Sequence, residues 1–255
     1  AYFARLLGLP FIAVAPRATA RPKIKAIEFL GGTVELTAPS DIYAEAGRIA
    51  ASSDGHYMDQ FTFAERATDW RGNNNIAQSI FEQMAAERHP VPRWIVVSAG
   101  TGGTAAPIGR YLSYQSHSTR LCVCDPENSV FYDCYTEDRG DITIDAGSRP
   151  RCEPSFLPGV IDHMIQVPDV ATFAAMRVLA ERVDHLPGGS TGTNLYAALQ
   201  VIRDMVDEGL SGSVVTLLCD PGERYRETYY SDAWLAQNGF DIAPYTAQIN
   251  RFLDT

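Results

Sequence analysis

The chain of 255 residues is poor in lysine: only Lys23 and Lys25 stand among its 21 basic residues. Acidic residues number 31, so the formal net charge is −10. A chain so charged has no electrostatic footprint for nucleic acid or anionic lipid, and neither is expected as a partner. No apolar run approaches the roughly 20 residues that a membrane helix needs. Residues 1–15 do not read as a signal peptide, and a cytoplasmic location is the expectation. The five cysteines, an odd count without regular spacing, exclude a secreted disulfide scaffold. The five histidines form no H-x-x-x-H pattern, and no cysteine pair has zinc-site spacing. No metal site is expected. Cys122 and Cys124, two apart on a predicted strand, share one face and read as buried core residues.

What is present is a globular composition, with 45% hydrophobic and 20% charged residues. That supports a buried core and one large or two modest domains. Apolar periodicity predicts helices over residues 1–7, 22–30, 42–51, 75–88, 105–112, 170–183 and 194–206. Short apolar runs predict strands over residues 9–14, 33–37, 56–61, 93–98, 119–124, 163–167 and 213–218. Residues 125–158 read as irregular, and the tail after Trp234 as mixed and helical. Strands alternating with helices mean an α/β fold with open parallel sheets covered on both faces. The first three units can form a separate sheet, with residues 62–75 as the crossing.

Residues 98–104 read Ser-Ala-Gly-Thr-Gly-Gly-Thr, between the strongest predicted strand and a helix. Open α/β sheets place ligands at such a turn. Successive glycines let backbone N–H groups converge, and the helix start adds about half a positive charge. A phosphate is the natural guest of Gly100, Thr101, Gly102, Gly103 and Thr104. No Gly-Lys-Ser/Thr follows, which excludes a Walker loop. A dinucleotide domain is a competing reading, because Gly100, Gly102 and Ala105 fit its glycine spacing and Asp125 stands where a ribose-binding acid belongs. Two features count against it: three strand–helix units precede the loop, and Pro126 directly follows Asp125.

The loop resembles the phosphate-binding loop of fold-type II pyridoxal-phosphate enzymes, the cysteine synthase and cystathionine β-synthase family. Other stretches agree in order. Residues 1–15 are similar to the helix and strand that follow the family's Ser-Gly-Asn-Thr loop, and residues 23–32 to its next helix. Asp59-Gln60-Phe61 resembles its Gln-Phe, the Gly-Gly-Ser-Thr-Gly of residues 188–192 its Ser-Ser-Gly, and Gly222-Glu223-Arg224-Tyr225 its Gly-Glu-Arg-Tyr. Residues 64–72 and 153–160 resemble the L-cysteine desulfhydrase subgroup. The resemblance covers nearly the whole chain. It implies the tryptophan synthase β-subunit-like architecture, N-terminally truncated, with a small mobile domain over residues 1–65 and a large one over residues 66–255. It also implies pyridoxal 5′-phosphate as cofactor, an amino-acid substrate, a homodimer, and β-elimination on L-cysteine or β-replacement. Gly100, Thr101, Gly102, Gly103 and Thr104 would hold the cofactor phosphate, and Gln60 would meet the substrate.

The chain also departs from the family. The Schiff-base lysine belongs to a segment before the Ser-Gly-Asn-Thr loop, ahead of Ala1, so no catalytic residue is assigned within these 255 residues. Lys23 and Lys25 sit on a basic helix and are not candidates. The chain is expected to be an inactive fragment of a longer enzyme. The alternative is a non-catalytic paralogue that binds a ligand or partner. Pro221 stands where the family often has a serine bonded to the pyridine nitrogen, and proline has no side-chain donor. Asp220 beside it is the available substitute. Ala146-Gly147-Ser148 replaces a Gly-Ile-Gly near the cofactor face.

Overall fold

A computed structural model describes residues 1–72, 75–137 and 152–254. They divide into two compact units, residues 1–60 and residues 61–137 with 152–254. Ala146-Gly147-Ser148 lies outside the described residues.

The first unit runs α1 (Tyr2–Leu6), β1 (Ile12–Pro16), α2 (Arg21–Phe29), β2 (Thr33–Thr37) and α3 (Ile42–Ser52). β1 and β2 pair in parallel, with Ile12 opposite Thr33. Pro22 occupies the first turn of α2, where its missing N–H is not needed. The chain leaves α2 through Gly31 at φ +83°, a conformation in which glycine carries no Cβ penalty. The expected strand over residues 56–61 does not form. Asp54 and Asp59 take positive φ, 51° and 35°, and two such residues break the extended backbone.

The second unit contains α4 (Ile76–Met84), β3 (Trp94–Ser98), α5 (Ala105–Tyr114), β4 (Arg120–Pro126), α6 (Phe131–Glu137), β5 (His163–Val167), α7 (Asp169–Ala180), α8 (Gly189–Asp207), β6 (Val214–Thr216), α9 (Asp232–Gln237) and α10 (Ala243–Leu253). The strands form one parallel sheet in the order β5-β4-β3-β6. Asn75 caps α4: its side-chain oxygen accepts the Gln78 N–H at 2.8 Å, and its amide donates to the Gly72 carbonyl at 2.7 Å. Alternate residues of three strands share a face, and there Trp94, Val96, Cys122, Cys124, Ile165 and Val167 pack on α7 and α8. Cys122 and Cys124 are thus core residues, and burial pushes the Cys122 thiol up to about 12.

Two further expectations need correction. Residues 131–137, read as irregular, form α6, because the buried carboxylate of Asp125 on β4 receives a backbone N–H at its start. The helix expected over residues 194–206 begins five residues earlier, at Gly189. The small side of its first turns lets α8 press onto α7. A Cβ on Gly192 would lie 2.4 Å from the Thr172 carbonyl oxygen and 2.5 Å from Met176.

That contact generates a prediction. Gly192→Ala forces the two helices apart and should lower stability by about 1–3 kcal/mol, as overpacked cores do. Gly47→Ala on α3, where a Cβ meets only open space, should be neutral or stabilising. Thermal melts of the two variants check this. Equal melting of Gly192→Ala and the parent would mean that α7 and α8 do not approach this closely.

Candidate functional site

All four strands of the second unit are parallel, so their C-terminal ends open on one side. The glycine-rich loop follows β3 there, and the segment starting at Cys219 follows the adjacent β6. The Ala99 N–H is still bound to the Cys124 carbonyl at 3.2 Å. Beyond it the chain turns through Gly102 at φ +86° into α5. Inside the loop the Thr101 hydroxyl accepts the Gly103 N–H at 3.2 Å. The Gly102 carbonyl accepts the Ala106 N–H at 2.9 Å. Among the described residues, the N–H groups of Gly100, Thr101, Gly102, Thr104 and Ala105 donate to no other group of the chain. Thr104, at the N-cap, makes no side-chain cap bond. The structure therefore brings Gly100, Thr101, Gly102, Gly103 and Thr104 together at a helix N-terminus, where all but Gly103 keep a free N–H donor.

The loop is held from two sides. A Cβ on Gly102 would stand 2.4 Å from the Ser155 carbonyl oxygen and 2.5 Å from the Phe156 Cα. A Cβ on Gly103 would stand 2.9 Å from the Ala64 Cβ. The two flanking segments are tied to each other by Ser155, which is fully buried. Its hydroxyl lies 2.8 Å from the Phe61 carbonyl, 3.1 Å from the Thr62 carbonyl and 2.9 Å from Glu65 Oε2. Glu65 is itself buried. Burial raises its carboxyl, but the Ser155 hydroxyl and the Arg66 guanidinium, 3.1 Å from Oε1, outweigh that and hold it below the ordinary glutamate range. Neither Glu65 nor Ser155 stands out in the sequence. Their signal is indirect: both fall in the two stretches that resemble the desulfhydrase subgroup.

The second glycine segment opens α8 beside the chain leaving β6. The Gly188 N–H donates to the Asp220 carbonyl at 2.9 Å. A Cβ there would meet Asp220 Oδ1 at 2.3 Å. Asp220 Oδ2 accepts the Tyr225 hydroxyl at 3.3 Å, and Arg224 lies 3.6 Å away. Thr191 Oγ1 accepts the Cys219 N–H at 2.9 Å. Asn194, fully buried, donates to the Leu217 carbonyl at 3.1 Å and receives the Cys124 thiol at 3.4 Å. Gln60 is the last residue of the first unit and is exposed. Lys23 and Lys25 are exposed on α2.

Asp125, the ribose ligand of the dinucleotide alternative, ends β4 with no exposed surface. Its Oδ2 accepts the Tyr132 N–H at 3.0 Å and so anchors α6. Burial pushes its carboxyl up to about 6. Because the folded state holds this proton more tightly than the unfolded one, the stability due to Asp125 falls as pH rises from about 4 to 6. A carboxyl held that far above the ordinary aspartate range corresponds to an effect on the order of 2–3 kcal/mol. Unfolding free energies of the parent and Asp125→Asn between pH 4 and 7 should diverge by that amount. Parallel curves would count against a buried, proton-binding Asp125.

These donors suit a phosphate. Known proteins resemble the chain over most of its length. Residues 1–220 match the family described as pyridoxal-phosphate dependent enzyme. The chain is 56% identical to L-cysteine desulfhydrase Cds1 of Mycobacterium tuberculosis, over 99% of this chain and 70% of that protein. It is 26% identical to cysteine synthase 2 of Schizosaccharomyces pombe, over 86% of this chain and 61% of that protein. It is also 26% identical to cystathionine β-synthase of Mus musculus, over 93% of this chain and 43% of that protein. The chain thus spans less than two thirds of the last two, and it belongs to the pyridoxal-phosphate dependent enzyme family.

Proposed function

We propose that the chain is part of a pyridoxal-phosphate dependent lyase that removes sulfide from L-cysteine by β-elimination, with water converting the remainder to pyruvate and ammonia. The observation that carries the reading is the set of free N–H donors at residues 100, 101, 102, 104 and 105, in a chain 56% identical to an L-cysteine desulfhydrase. Bound there, pyridoxal phosphate supplies the electron sink for breaking the bond to sulfur.

The residues of this chain then divide the work. Gly100, Thr101, Gly102, Gly103 and Thr104 bind the phosphate, with α5 contributing the favourable end of its dipole. Ser155 and Glu65 fix the spacing of the loop from behind. Gln60 meets the substrate carboxylate. The segment after β6 would serve the ring: Pro221 has no side-chain donor, so Asp220, fixed by Tyr225 and Gly188, would be the residue able to bond a protonated ring nitrogen. The five cysteines are free thiols, which suits a cytoplasmic protein. No helix among the described residues is long and apolar enough to cross a membrane. The working form is a homodimer.

The test separates phosphate binding from turnover. Absorbance titration should show pyridoxal phosphate binding that Gly102→Val abolishes, since the added side chain collides with backbone at residues 155 and 156. Ser155→Ala should weaken pyridoxal phosphate by about tenfold, or 1.4 kcal/mol, yet leave pyridoxal, which lacks the phosphate, nearly unchanged. Equal losses for both ligands would show that Ser155 acts on the fold at large. Assayed in the longer enzyme to which this chain is proposed to belong, L-cysteine should give sulfide, pyruvate and ammonia in equal amounts. Binding of pyridoxal phosphate that survives Gly102→Val would end this reading of the loop.

A further inference from the structure

The opposite end of the same sheet carries a second polar site. The N-terminal ends of β3 and β4, with the loop before β6, enclose a cleft of about 470 Å³. Its polar lining is Arg88, His89, Arg93, Ser118, Arg120 and Ser211, and it contains no carboxylate. Several arginines elsewhere in this unit are paired with carboxylates: Arg66 with Glu65, Arg71 with Asp69, Arg177 with Asp232 and Arg203 with Asp204. The side chains of Arg88, Arg93 and Arg120 form neither an ion pair nor a hydrogen bond among the described residues. A smaller cleft of about 250 Å³ shares Arg93 and Arg120 and adds His163, Asp204 and Glu208. Asp204 pairs there with its neighbour Arg203 at 3.5 Å, not with the cleft arginines.

Three guanidinium groups converge on one cleft whose lining holds no carboxylate, so an anion could enter without displacing an ion pair. Arg120 lies 4.3 Å above the Trp94 ring. Stacking occupies the face of a guanidinium and leaves its N–H edge free for an anion in the ring-parallel plane. Guanidinium forks match phosphoryl oxygens in pairs, and several forks suit a multiply charged group better than one carboxylate. Pro90, Val91 and Pro92 form an apolar wall that admits an organic substituent. We propose that this cleft binds a small polyvalent phosphoryl anion, at a site separate from the glycine-rich loop.

The probes are pyrophosphate and ATP, titrated calorimetrically into the protein with excess pyridoxal phosphate present, so that the glycine-rich loop is not counted. Arg88→Ala combined with Arg93→Ala should weaken pyrophosphate by about a hundredfold, tenfold per fork. Arg120→Lys, which keeps the charge but loses the fork and the stacking, should show an intermediate loss. Arg48→Ala, which removes a paired surface arginine of the first unit, should leave the titration unchanged. Affinity for pyridoxal phosphate should be the same in all of them, which also shows that they fold. Tighter binding of ATP than of pyrophosphate supports the site and assigns the apolar wall to an organic substituent; equal binding supports it and assigns recognition to the phosphoryl groups alone. Unaltered pyrophosphate binding by the Arg88→Ala/Arg93→Ala protein, or heat released only when pyridoxal phosphate is omitted, overturns the proposal.

Discussion

Between the glycine-rich loop and residues 155 and 156 there is no room for a single carbon atom. Gly102 meets this limit with a left-handed backbone and no side chain, and its neighbour Gly103 meets a similar one against Ala64. The consequences run outward from that contact. A loop pressed against a wall on its inner side cannot use its N–H groups inward, so they remain free at the start of α5. The wall in turn has to be rigid, and Ser155 provides this by linking residues 153–156 to residues 61–65. Its hydroxyl has one proton and three acceptors within hydrogen-bond range. The proton is best placed on the Glu65 carboxylate, since a hydrogen bond to a charged acceptor is the stronger one. A buried carboxylate is tolerated here because it is bonded on both oxygens.

A parallel sheet gives its two ends opposite electrical characters. Covering helices run antiparallel to the strands, so helix N-termini gather at the strand C-terminal ends and helix C-termini at the other. At the first end the free donors of residues 100, 101, 102, 104 and 105 attract an anion directly. At the second, the partial negative charge of the helix ends favours cations, which helps hold Arg88, Arg93 and Arg120 near one another without carboxylates. The dipoles alone do not satisfy these groups, since none of the three arginine side chains bonds a helix carbonyl among the described residues. An incoming anion can therefore engage them without first breaking an existing ion pair.

Strands and helices are legible in the sequence where one period dominates. Trp94–Ser98 stands out because apolar residues run uninterrupted to Val97, Thr33–Thr37 because β-branched residues recur in it, and α7 because its buried face is long. The glycine-rich loop is legible because its chemistry is local: a strand, glycines and a helix in immediate succession. Residues 56–61 mislead because their apolar side chains suggest a strand, whereas two aspartates with positive φ decide the backbone. The start of α6 depends on Asp125, and that of α8 on a close approach between Gly192 and Thr172; neither leaves a periodic trace. The Glu65–Ser155 link spans 90 positions, beyond the reach of any local pattern.

The loop itself is generic, a form that any phosphate at a helix N-terminus could use. What surrounds it is not. Residues 64–72 and 153–160, which resemble the desulfhydrase subgroup, supply Ala64 against Gly103, Glu65 and Ser155 as the link, Phe156 against Gly102, and Val160 against Gly109, where a Cβ would come within 2.6 Å. The same segments thus touch both the phosphate loop and the helix that follows it. A change of one methyl group in these walls must displace the loop, because close-packed interiors transmit such changes. In this chain the height and tilt of the loop are therefore set by packing one layer behind the groups that would meet the ligand.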